Sequence, residues 1–228
     1  SYDNGYVSRI KISHGGYGKA IYIKHLNGST SVYAHLKKFS KKIEKIVKTK
    51  QYERMSYEIE FFPKENEIPI TKNEIIALSG NTGGTTGPHL HFELRDKNQI
   101  PINPLKGTDI SILDNNPPHI NNLYYKTVYS DKQNEIKIKR ISSSLYVADT
   151  IRIAGKIGFG IVAYDRHDLA RNNNGVSKIE TFIDNKNILT ISFDSISFDQ
   201  TKHINAFIDY SYFKNNKKRI QKLFVENY

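Results

Sequence analysis

The chain contains no cysteine, which excludes disulfide bonds, thiolate catalysis and thiolate metal sites. It also contains no apolar run as long as a membrane-spanning helix requires. A nucleotide-binding P-loop is absent as well, because the glycine- and threonine-rich stretch 79–87 lacks the Gly-Lys-Ser/Thr ending. We interpret this stretch as a turn whose glycines let the backbone pass close to a site.

The sequence also lacks a starting methionine and a signal peptide, since it opens at Ser1. We therefore expect an internal fragment or a processed product, and the missing signal carries no information about secretion. The length of 228 residues accommodates one large all-β domain or two smaller ones.

The formal net charge is +11, an excess that suits an anionic partner. The simpler interpretation is a lysine-rich, solvated surface. No motif of a nucleic-acid-binding module accompanies the charge, so we expect no nucleic-acid partner. A basic segment on a predicted helix is a candidate contact for an anionic envelope polymer, although a solvated helix face is the default. Its lysines are Lys41, Lys42, Lys45, Lys48 and Lys50.

Alternating apolar and polar residues predict a mainly β chain. In the first half, strands are predicted over 6–12, 20–24, 30–35, 57–62, 75–78 and 89–94, with Asn27-Gly28 as a hairpin turn and one short helix over 41–54. In the second half, strands are predicted over 122–128, 135–141, 156–163, 177–183, 188–193 and 203–212.

This pattern predicts a β-sheet core domain over 1–108, a linker over 109–118 and a β-sandwich-like domain over 119–228. The linker contains Asn115-Asn116-Pro117-Pro118, which is typical of an irregular connection. Residues 224–226 resemble a strand that is still running, so we expect the second domain to be incomplete at its C-terminus.

The most informative stretch is Gly87-Pro88-His89-Leu90-His91-Phe92-Glu93. In a strand, His89 and His91 would point to the same face about 7 Å apart. Two such imidazoles can share a metal, or one can bind it while the other handles a proton. The pattern alone is equally compatible with two strand histidines packed against aromatic residues. His35, at the end of the strand-like run 31–36, is a candidate third member.

Other residues near this stretch have two interpretations each. Glu93 shares the face of His89 and His91, so it is either a partner that orients a metal-binding histidine or the ion-pair partner of Arg95. Tyr17 lies beside turn glycines, and it either lines a substrate groove or only packs against neighbouring residues. Both His14 and His25 lie beside turns and are expected at the surface.

Two other metal motifs fit less well. Gly83 followed by His89 and His91 fits the opening of a cupin motif, but that motif requires a glutamate where this chain has Arg95 or Asp96. In the second half, Asp165-Arg166-His167-Asp168 suggests a calcium or zinc loop, but its spacing matches no EF-hand and a polar turn is the simpler interpretation.

Several motifs of the first half occur in one order: Gly5-Tyr6-Val7, Gly15-Gly16-Tyr17-Gly18, Tyr33-Ala34-His35-Leu36, Ser79-Gly80-Asn81-Thr82-Gly83-Gly84, Thr86 to Glu93, and Pro101-Ile102-Asn103-Pro104-Leu105. In this order they resemble the lysostaphin/LytM-type zinc murein endopeptidases over residues 1 to 108. The match is specific as a set, whereas the histidine pair alone would be a weak signal.

The resemblance implies a β-sheet core with the site in a groove, and cleavage of peptide cross-links in bacterial peptidoglycan. It implies a location in the cell envelope, periplasmic or extracellular. By motif, His91 falls on a zinc ligand, and His89 and His35 fall on the two catalytic histidines. Zinc lowers the pKa of bound water from about 15.7 to about 7 and polarises the scissile carbonyl. Imidazole is suited to moving the proton.

The family pattern also has a histidine and an aspartate, four positions apart, upstream of the strand that contains Gly5-Tyr6-Val7. Here that motif lies nearly at the start, and Asp3 does not match the ligand aspartate. One histidine does not hold zinc usefully, because a catalytic site normally has three protein ligands. We therefore expect a fragment of a longer enzyme that is inactive alone.

Two other functions remain open at this point. The first is a non-catalytic module of the same fold, which binds the wall or activates a wall hydrolase. The second is an adhesive or structural protein whose function lies in the C-terminal half.

Overall fold

The structure is a computed structural model that describes residues 1–127, 130 and 132–225. The chain divides into two compact units, Ser1–Pro104 and Leu105–Tyr228. The predicted linker 109–118 falls in the second unit. Two strand predictions extend beyond the described residues, because Val128 and Glu226 lie outside them.

The first unit consists of short strands and one helix. In chain order they are β1 (Gly5–Ile12), β2 (Lys19–His25), β3 (Thr30–Ala34), β4 (Leu36–Phe39), α1 (Lys41–Glu53), β5 (Ile59–Phe61), β6 (Pro69–Ile70), β7 (Ala77–Ser79), β8 (His91–Arg95) and β9 (Pro101–Ile102).

An antiparallel sheet with the strand order β5-β1-β2-β3-β8-β9 forms the body of this unit, and β6 also pairs with β1. A separate two-stranded sheet joins β4 to β7. The predicted hairpin turn at Asn27-Gly28 connects β2 and β3, and Gly28 adopts a φ of 83°. Glycine suits this position because it reaches positive φ without a steric penalty.

The two faces of the sheet carry different residues, because successive side chains of a strand alternate. One face contributes Ile21 and Ile23 of β2 to a large apolar core. Helix α1 packs Ile43 and Val47 into the same core, and full burial of each such side chain stabilises the fold by about 1.5 to 3 kcal/mol. The opposite face carries a small cluster of Ala20, Tyr22, Val32 and Ala34, with Tyr17 against it.

The second unit is also mainly strands. They are β10 (His119–Thr127), β11 (Asn134–Ile136), β12 (Ile138–Arg140), β13 (Tyr146–Ala148), β14 (Ile157–Tyr164), β15 (Lys178–Ile183), β16 (Lys186–Ser192) and β17 (Gln221–Lys222). A four-stranded sheet has the order β11-β10-β14-β17, and β12–β13 and β15–β16 form two-stranded sheets. The predicted mainly β fold class is confirmed, and the sandwich-like arrangement of these sheets stays a prediction.

The strand predicted over 203–212 is wrong. This segment belongs to a 3-10 helix, Phe198–Phe207, followed by helix α2 (Tyr210–Asn216). Asp209 caps α2, since its side chain accepts a hydrogen bond from the backbone N–H of Tyr212. A capping aspartate satisfies an N–H that has no partner inside the helix, and this local bond outweighs the alternating pattern.

Residues of the predicted linker bind the turn that follows β14. The side-chain amides of Asn115 and Asn116 donate to the carboxylate of Asp168, at 2.7 and 2.6 Å. The backbone N–H of Asp168 in turn donates to the carbonyl of Leu113. This part of the linker is therefore tied to the second unit.

Candidate active site

Strand β8 places His91 and Glu93 on the sheet face that carries the small cluster. His91 lies opposite Ala34 of β3, and Glu93 lies opposite Val32. Arg95 follows on the same face, because side chains two residues apart in a strand point the same way. The alternation of the sequence thus correctly predicted that His91, Glu93 and Arg95 lie on the same face of the strand.

The carboxylate of Glu93 connects the residues of this face. Its Oε1 accepts hydrogen bonds from Nε2 of His91, at 2.6 Å, and from the hydroxyl of Tyr17. Its Oε2 accepts from Nε of Arg95, at 2.7 Å, and faces Nη2 of Arg95 at 2.6 Å. Burial alone would raise the pKa of Glu93, but the hydrogen bonds from His91, Tyr17 and Arg95 outweigh it and lower the pKa to about 2. Glu93 is therefore an anion at neutral pH.

This arrangement fixes the tautomer of His91. An ionised carboxylate only accepts hydrogen bonds, so Nε2 of His91 carries the proton. In a neutral imidazole the other nitrogen, Nδ1, then holds a free lone pair. A metal-binding histidine typically donates its second N–H to a carboxylate in this way. Glu93 thus contacts His91 and is also the predicted ion-pair partner of Arg95, while metal binding by His91 stays a prediction.

Tyr17 packs on His91 from the glycine-rich turn between β1 and β2. The ring centroids of the two residues are 4.8 Å apart. Burial, followed by the hydrogen bond to Glu93, raises the pKa of Tyr17 to about 12, so the phenol stays neutral and keeps donating. Its role as a substrate-binding residue stays a prediction.

His35 follows β3 and is buried, with a φ of 58° that non-glycine residues seldom adopt. Its backbone N–H donates to the carbonyl of Tyr17, and its Nδ1 lies 2.8 Å from the carbonyl of Thr82. A carbonyl only accepts, so Nδ1 carries a proton and Nε2 of the neutral ring is free to accept one.

His89 is not part of a strand, contrary to the prediction of a strand over 89–94. The strand begins at His91, and His89 forms only an isolated bridge with Gly80. Its Nδ1 lies 2.8 Å from the carbonyl of Gly87 and 3.2 Å from the hydroxyl of Thr85. The ladder begins at His91 because its partner strand β3 ends at Ala34, opposite His91, and the positive φ of His35 turns the chain away from the extended conformation.

The structure brings all three predicted histidines together. The ring centroids of His35 and His89 are 4.8 Å apart, and those of His35 and His91 are 5.7 Å apart. His89 is exposed, whereas His91 is half-buried. In the neutral state the cluster offers Nε2 of His35 and of His89 as proton acceptors, and Nδ1 of His91 as a ligand atom.

Two glycine-containing loops support this cluster by close backbone contact. Gly18 and Gly83 both adopt positive φ, 61° and 83°, and a Cβ on either would clash with the backbone of the opposite loop. The N–H of Gly84 also donates to the carbonyl of Gly16, at 2.8 Å. This contact places the carbonyl of Thr82 beside His35, so the glycine-rich stretch acts as the sequence suggested.

Thr82 and Gly87 are site residues that the sequence analysis did not single out. Their carbonyls accept from His35 and His89, and carbonyl positions follow the path of a loop rather than a residue pattern. Thr82 also anchors its own loop, because its hydroxyl accepts from the N–H of Lys19 and donates to the carbonyl of Leu36.

His25, expected at the surface, is buried in the structure. Its ring nitrogens lie 2.9 Å from the carbonyl of Asn4 and 2.8 Å from the hydroxyl of Ser31. Burial lowers the pKa of His25. By contrast, His14 is exposed as expected, and its ring stacks on Tyr57.

The described residues do not complete a zinc centre. Among them, no group of three or more histidine, cysteine, aspartate or glutamate side chains is placed to hold a metal ion. His91 has the chemistry of one ligand, with a free Nδ1 and a carboxylate on Nε2. A catalytic zinc needs about three protein ligands, so these residues alone do not fit the ion.

In the part of the chain that the structure describes, no helix is both long and apolar enough to cross a membrane. Helix α1 is the longest α-helix there, with 13 residues, and carries lysines along its exposed side.

Comparison with known proteins gives matches in the first half of the chain. Residues 62–104 match the model of peptidase family M23. The DD-carboxypeptidase/endopeptidase Mpg of Neisseria meningitidis serogroup B is 36% identical over 99 residues, which are 43% of this chain and 17% of that protein. An uncharacterized metalloprotease of Haemophilus influenzae is 33% identical over 102 residues, 45% of this chain and 16% of that protein.

The matched part of the chain thus spans less than a fifth of the length of these relatives. Among solved structures, a zinc-containing peptidase from Vibrio cholerae is 26% identical, with a TM-score of 0.34, over 47% of this chain and 25% of that one. The family match contains His89 and His91, whereas His35 and Tyr17 precede it.

Proposed function

The first unit of the chain is a member of peptidase family M23 of the lysostaphin/LytM type, and we therefore propose that the protein is a zinc endopeptidase. Its substrate is the peptide cross-link of bacterial peptidoglycan. The observation that carries the proposal is the close approach of three imidazole rings, since His35 lies 4.8 Å from His89 and 5.7 Å from His91 between ring centroids. The name of the Neisseria relative, a DD-carboxypeptidase/endopeptidase, supports the same reaction class.

In this proposal His91 is the one zinc ligand that the described residues provide. Glu93 holds the proton on Nε2 of His91 and so keeps Nδ1 free to coordinate. The family pattern implies that the remaining ligands are a histidine and an aspartate, which the proposal assigns to a part of the protein outside these residues. On this proposal the 228 residues alone have no activity.

His35 and His89 move protons in this proposal. Their Nδ1 atoms donate to the carbonyls of Thr82 and Gly87, so Nε2 of each neutral ring is the nitrogen that can accept a proton. His89 accepts the proton of the attacking water through Nε2. His89 then passes this proton to the leaving amine, while His35 assists the transfer or, in its protonated form, steadies the tetrahedral oxyanion. General acid–base catalysis of this kind contributes about 10²- to 10⁴-fold in rate.

The substrate places the protein in the cell envelope, periplasmic or extracellular. The ring face of Tyr17 beside His91 is the proposed contact for the substrate peptide, while its hydroxyl stays bound to Glu93. An anionic envelope polymer is a further expected partner, on grounds of the +11 net charge.

A second candidate is a non-catalytic module of the same fold that binds peptidoglycan or activates another hydrolase. It is favoured by one observation: among the described residues, no group of three or more histidine, cysteine, aspartate or glutamate side chains is placed to hold a metal ion. The two candidates differ in whether a zinc-loaded protein releases peptides from peptidoglycan.

The test is digestion of purified peptidoglycan by the native protein, with zinc content measured in parallel. His35→Ala and His89→Ala are expected to retain zinc and to lose activity by about 10²-fold or more. His91→Ala is expected to lose both. His203→Ala, an exposed histidine of the second unit, is the matched control and should behave as wild type. A zinc-loaded protein that binds peptidoglycan without cleaving it would favour the second candidate.

A further inference from the structure

The outward side of α1 carries a row of residues that no contact within the first unit explains. Lys41, Lys45, Lys48 and Tyr52 follow one another at spacings of four, three and four residues, which places them on one helix face. We call this row the lysine stripe. The buried side chains Ile43 and Val47 face the core, on the other side of the helix.

The charges of the stripe are not neutralised within the described residues. Lys41, Lys45 and Lys48 are exposed, and none forms an ion pair there. The two carboxylates of α1 are occupied elsewhere: Glu44 accepts from the N–H of Phe39, and Glu53 pairs with Lys50.

The stripe lies in a strongly basic segment. Residues 37–50 contain seven lysines and one glutamate. Lysines in the first turn of a helix are unfavourable for the helix itself, because the N-terminal end of the helix dipole is positive. Lys42 is accounted for by its hydrogen bond to the carbonyl of Pro69, at 2.8 Å. Helix stability does not account for Lys41, whereas a negatively charged partner does.

The far end of the stripe is apolar. Tyr52 is 82% exposed, and Met55, directly after the helix, is 94% exposed. Met55 adopts a φ of 45°, at the position after the helix where glycine is usual. The chain thus holds a large apolar side chain in solvent, in a backbone conformation that disfavours it.

A row of cations that ends in two exposed apolar side chains matches an anionic lipid surface. Lysines near a membrane are attracted by anionic headgroups, and tyrosine is enriched at the membrane–water interface. A soluble polyanion would explain the lysines, but it would leave Tyr52 and Met55 without a role. We propose that α1 docks on anionic lipid headgroups through the lysine stripe, with Tyr52 and Met55 at the headgroup boundary. This docking is independent of the proposed peptidase activity.

The first test measures binding of the 228-residue chain to vesicles. We expect binding to mixed phosphatidylglycerol/phosphatidylcholine vesicles and none to pure phosphatidylcholine vesicles. The triple variant Lys41→Gln/Lys45→Gln/Lys48→Gln is expected to bind about tenfold more weakly or worse. The matched control removes the same charge from three exposed lysines elsewhere in the unit: Lys24→Gln, Lys64→Gln and Lys97→Gln.

The control separates docking by the stripe from attraction by net charge. The control variant is expected to keep most of the vesicle binding, since its lysines lie outside α1. Equal losses in the two triple variants, or no binding of the wild-type chain to anionic vesicles, would overturn the proposal. Thermal unfolding of each variant verifies that the fold is intact.

The second test separates a lipid surface from an anionic polymer. The double variant Tyr52→Ser/Met55→Ser keeps every charge, and it is expected to lose vesicle binding several-fold while binding soluble polyphosphate as wild type does. If this variant binds vesicles as well as wild type does, the stripe is a general polyanion surface and the lipid proposal is wrong.

Discussion

Glu93 is the residue on which the geometry of the candidate site depends most. One carboxylate accepts from an imidazole, a phenol and a guanidinium, which come from the turn after β1 and from β8. Hydrogen bonds to a charged acceptor are stronger than those between neutral groups. The orientation of His91 is therefore set by the protein before any substrate binds.

Replacement of this carboxylate should lower the free energy of unfolding by an amount that depends on pH. The pKa of Glu93 is lowered to about 2, so its stabilising effect is complete above the unfolded value near 4.5 and is lost as the pH falls toward 2. We expect Glu93→Gln to lower the free energy of unfolding at pH 7 by about 1 to 3 kcal/mol, allowing for solvent screening. Urea denaturation of both proteins at pH 7, 5 and 3 measures this difference, which should shrink at the lowest pH. A difference that is constant with pH would contradict the assigned ionisation.

Tyr17→Phe removes one donor from Glu93 and leaves the ring on His91. Because the acceptor is charged, we expect a loss of about 1.5 to 3 kcal/mol in the free energy of unfolding at pH 7. Tyr52→Phe is the matched control, since Tyr52 is exposed on α1. Equal denaturation midpoints for the two variants would mean that the phenol does not bind Glu93.

At the scale of elements, the close approach of the two glycine loops decides where His35 lies. Gly83→Ala would place a methyl group against the backbone of Gly16 and Gly18, at a positive φ that alanine disfavours. We expect a loss of about 2 to 4 kcal/mol in stability. Gly15→Ala is the control, because a Cβ there meets nothing within 4 Å and the residue needs no positive φ. If both variants unfold at the same denaturant concentration, the loop contact is not close.

Most elements could be predicted because their signals are local. The hairpin at Asn27-Gly28 and helix α1 follow from turn chemistry and apolar spacing. The strand prediction for the segment 203–212 was wrong because its apolar residues alternate as in a strand, whereas in the structure Asp209 caps a helix. A closer search for capping residues would have found that signal.

The site could be predicted only in part, for a physical reason. His91 and Glu93 share a face by strand periodicity, which the sequence contains. The partners of His35 and His89 are loop carbonyls, whose positions depend on how β4, β7 and the glycine loops pack. The burial of His25 likewise depends on Asn4 and Ser31, which reach it through tertiary contacts.

At the scale of the whole molecule, the two units differ in their cores. Among the described residues, most buried apolar side chains lie in the first unit, and only Tyr124, Ile136, Ile191 and Ile220 lie in the second. Because apolar burial is the main stabilising term, we expect the second unit to be the less stable one. Hydrogen exchange followed by mass spectrometry should show faster exchange in the sheet strands of 105–225 than in those of 1–104.

A core substitution gives a sharper version of this comparison. Ile10→Ala removes a fully buried side chain of β1, and we expect a loss of about 2 to 5 kcal/mol, with faster exchange in the peptides of 1–104. Ile75→Ala, in an exposed position of the same unit, should change stability by about 0.5 kcal/mol at most. Slower exchange in the second unit than in the first would show that the apolar core does not set the order of stability.

We propose that His91 is one ligand of a zinc centre whose other ligands lie outside these 228 residues. Native mass spectrometry of the native protein and its His91→Ala variant, with the 228-residue chain alongside, tests this proposal. We predict one zinc ion per native chain, none in the variant and none in the 228-residue chain. Zinc retained after His91→Ala, or bound tightly by the 228 residues alone, would show that His91 is not a required ligand of such a centre.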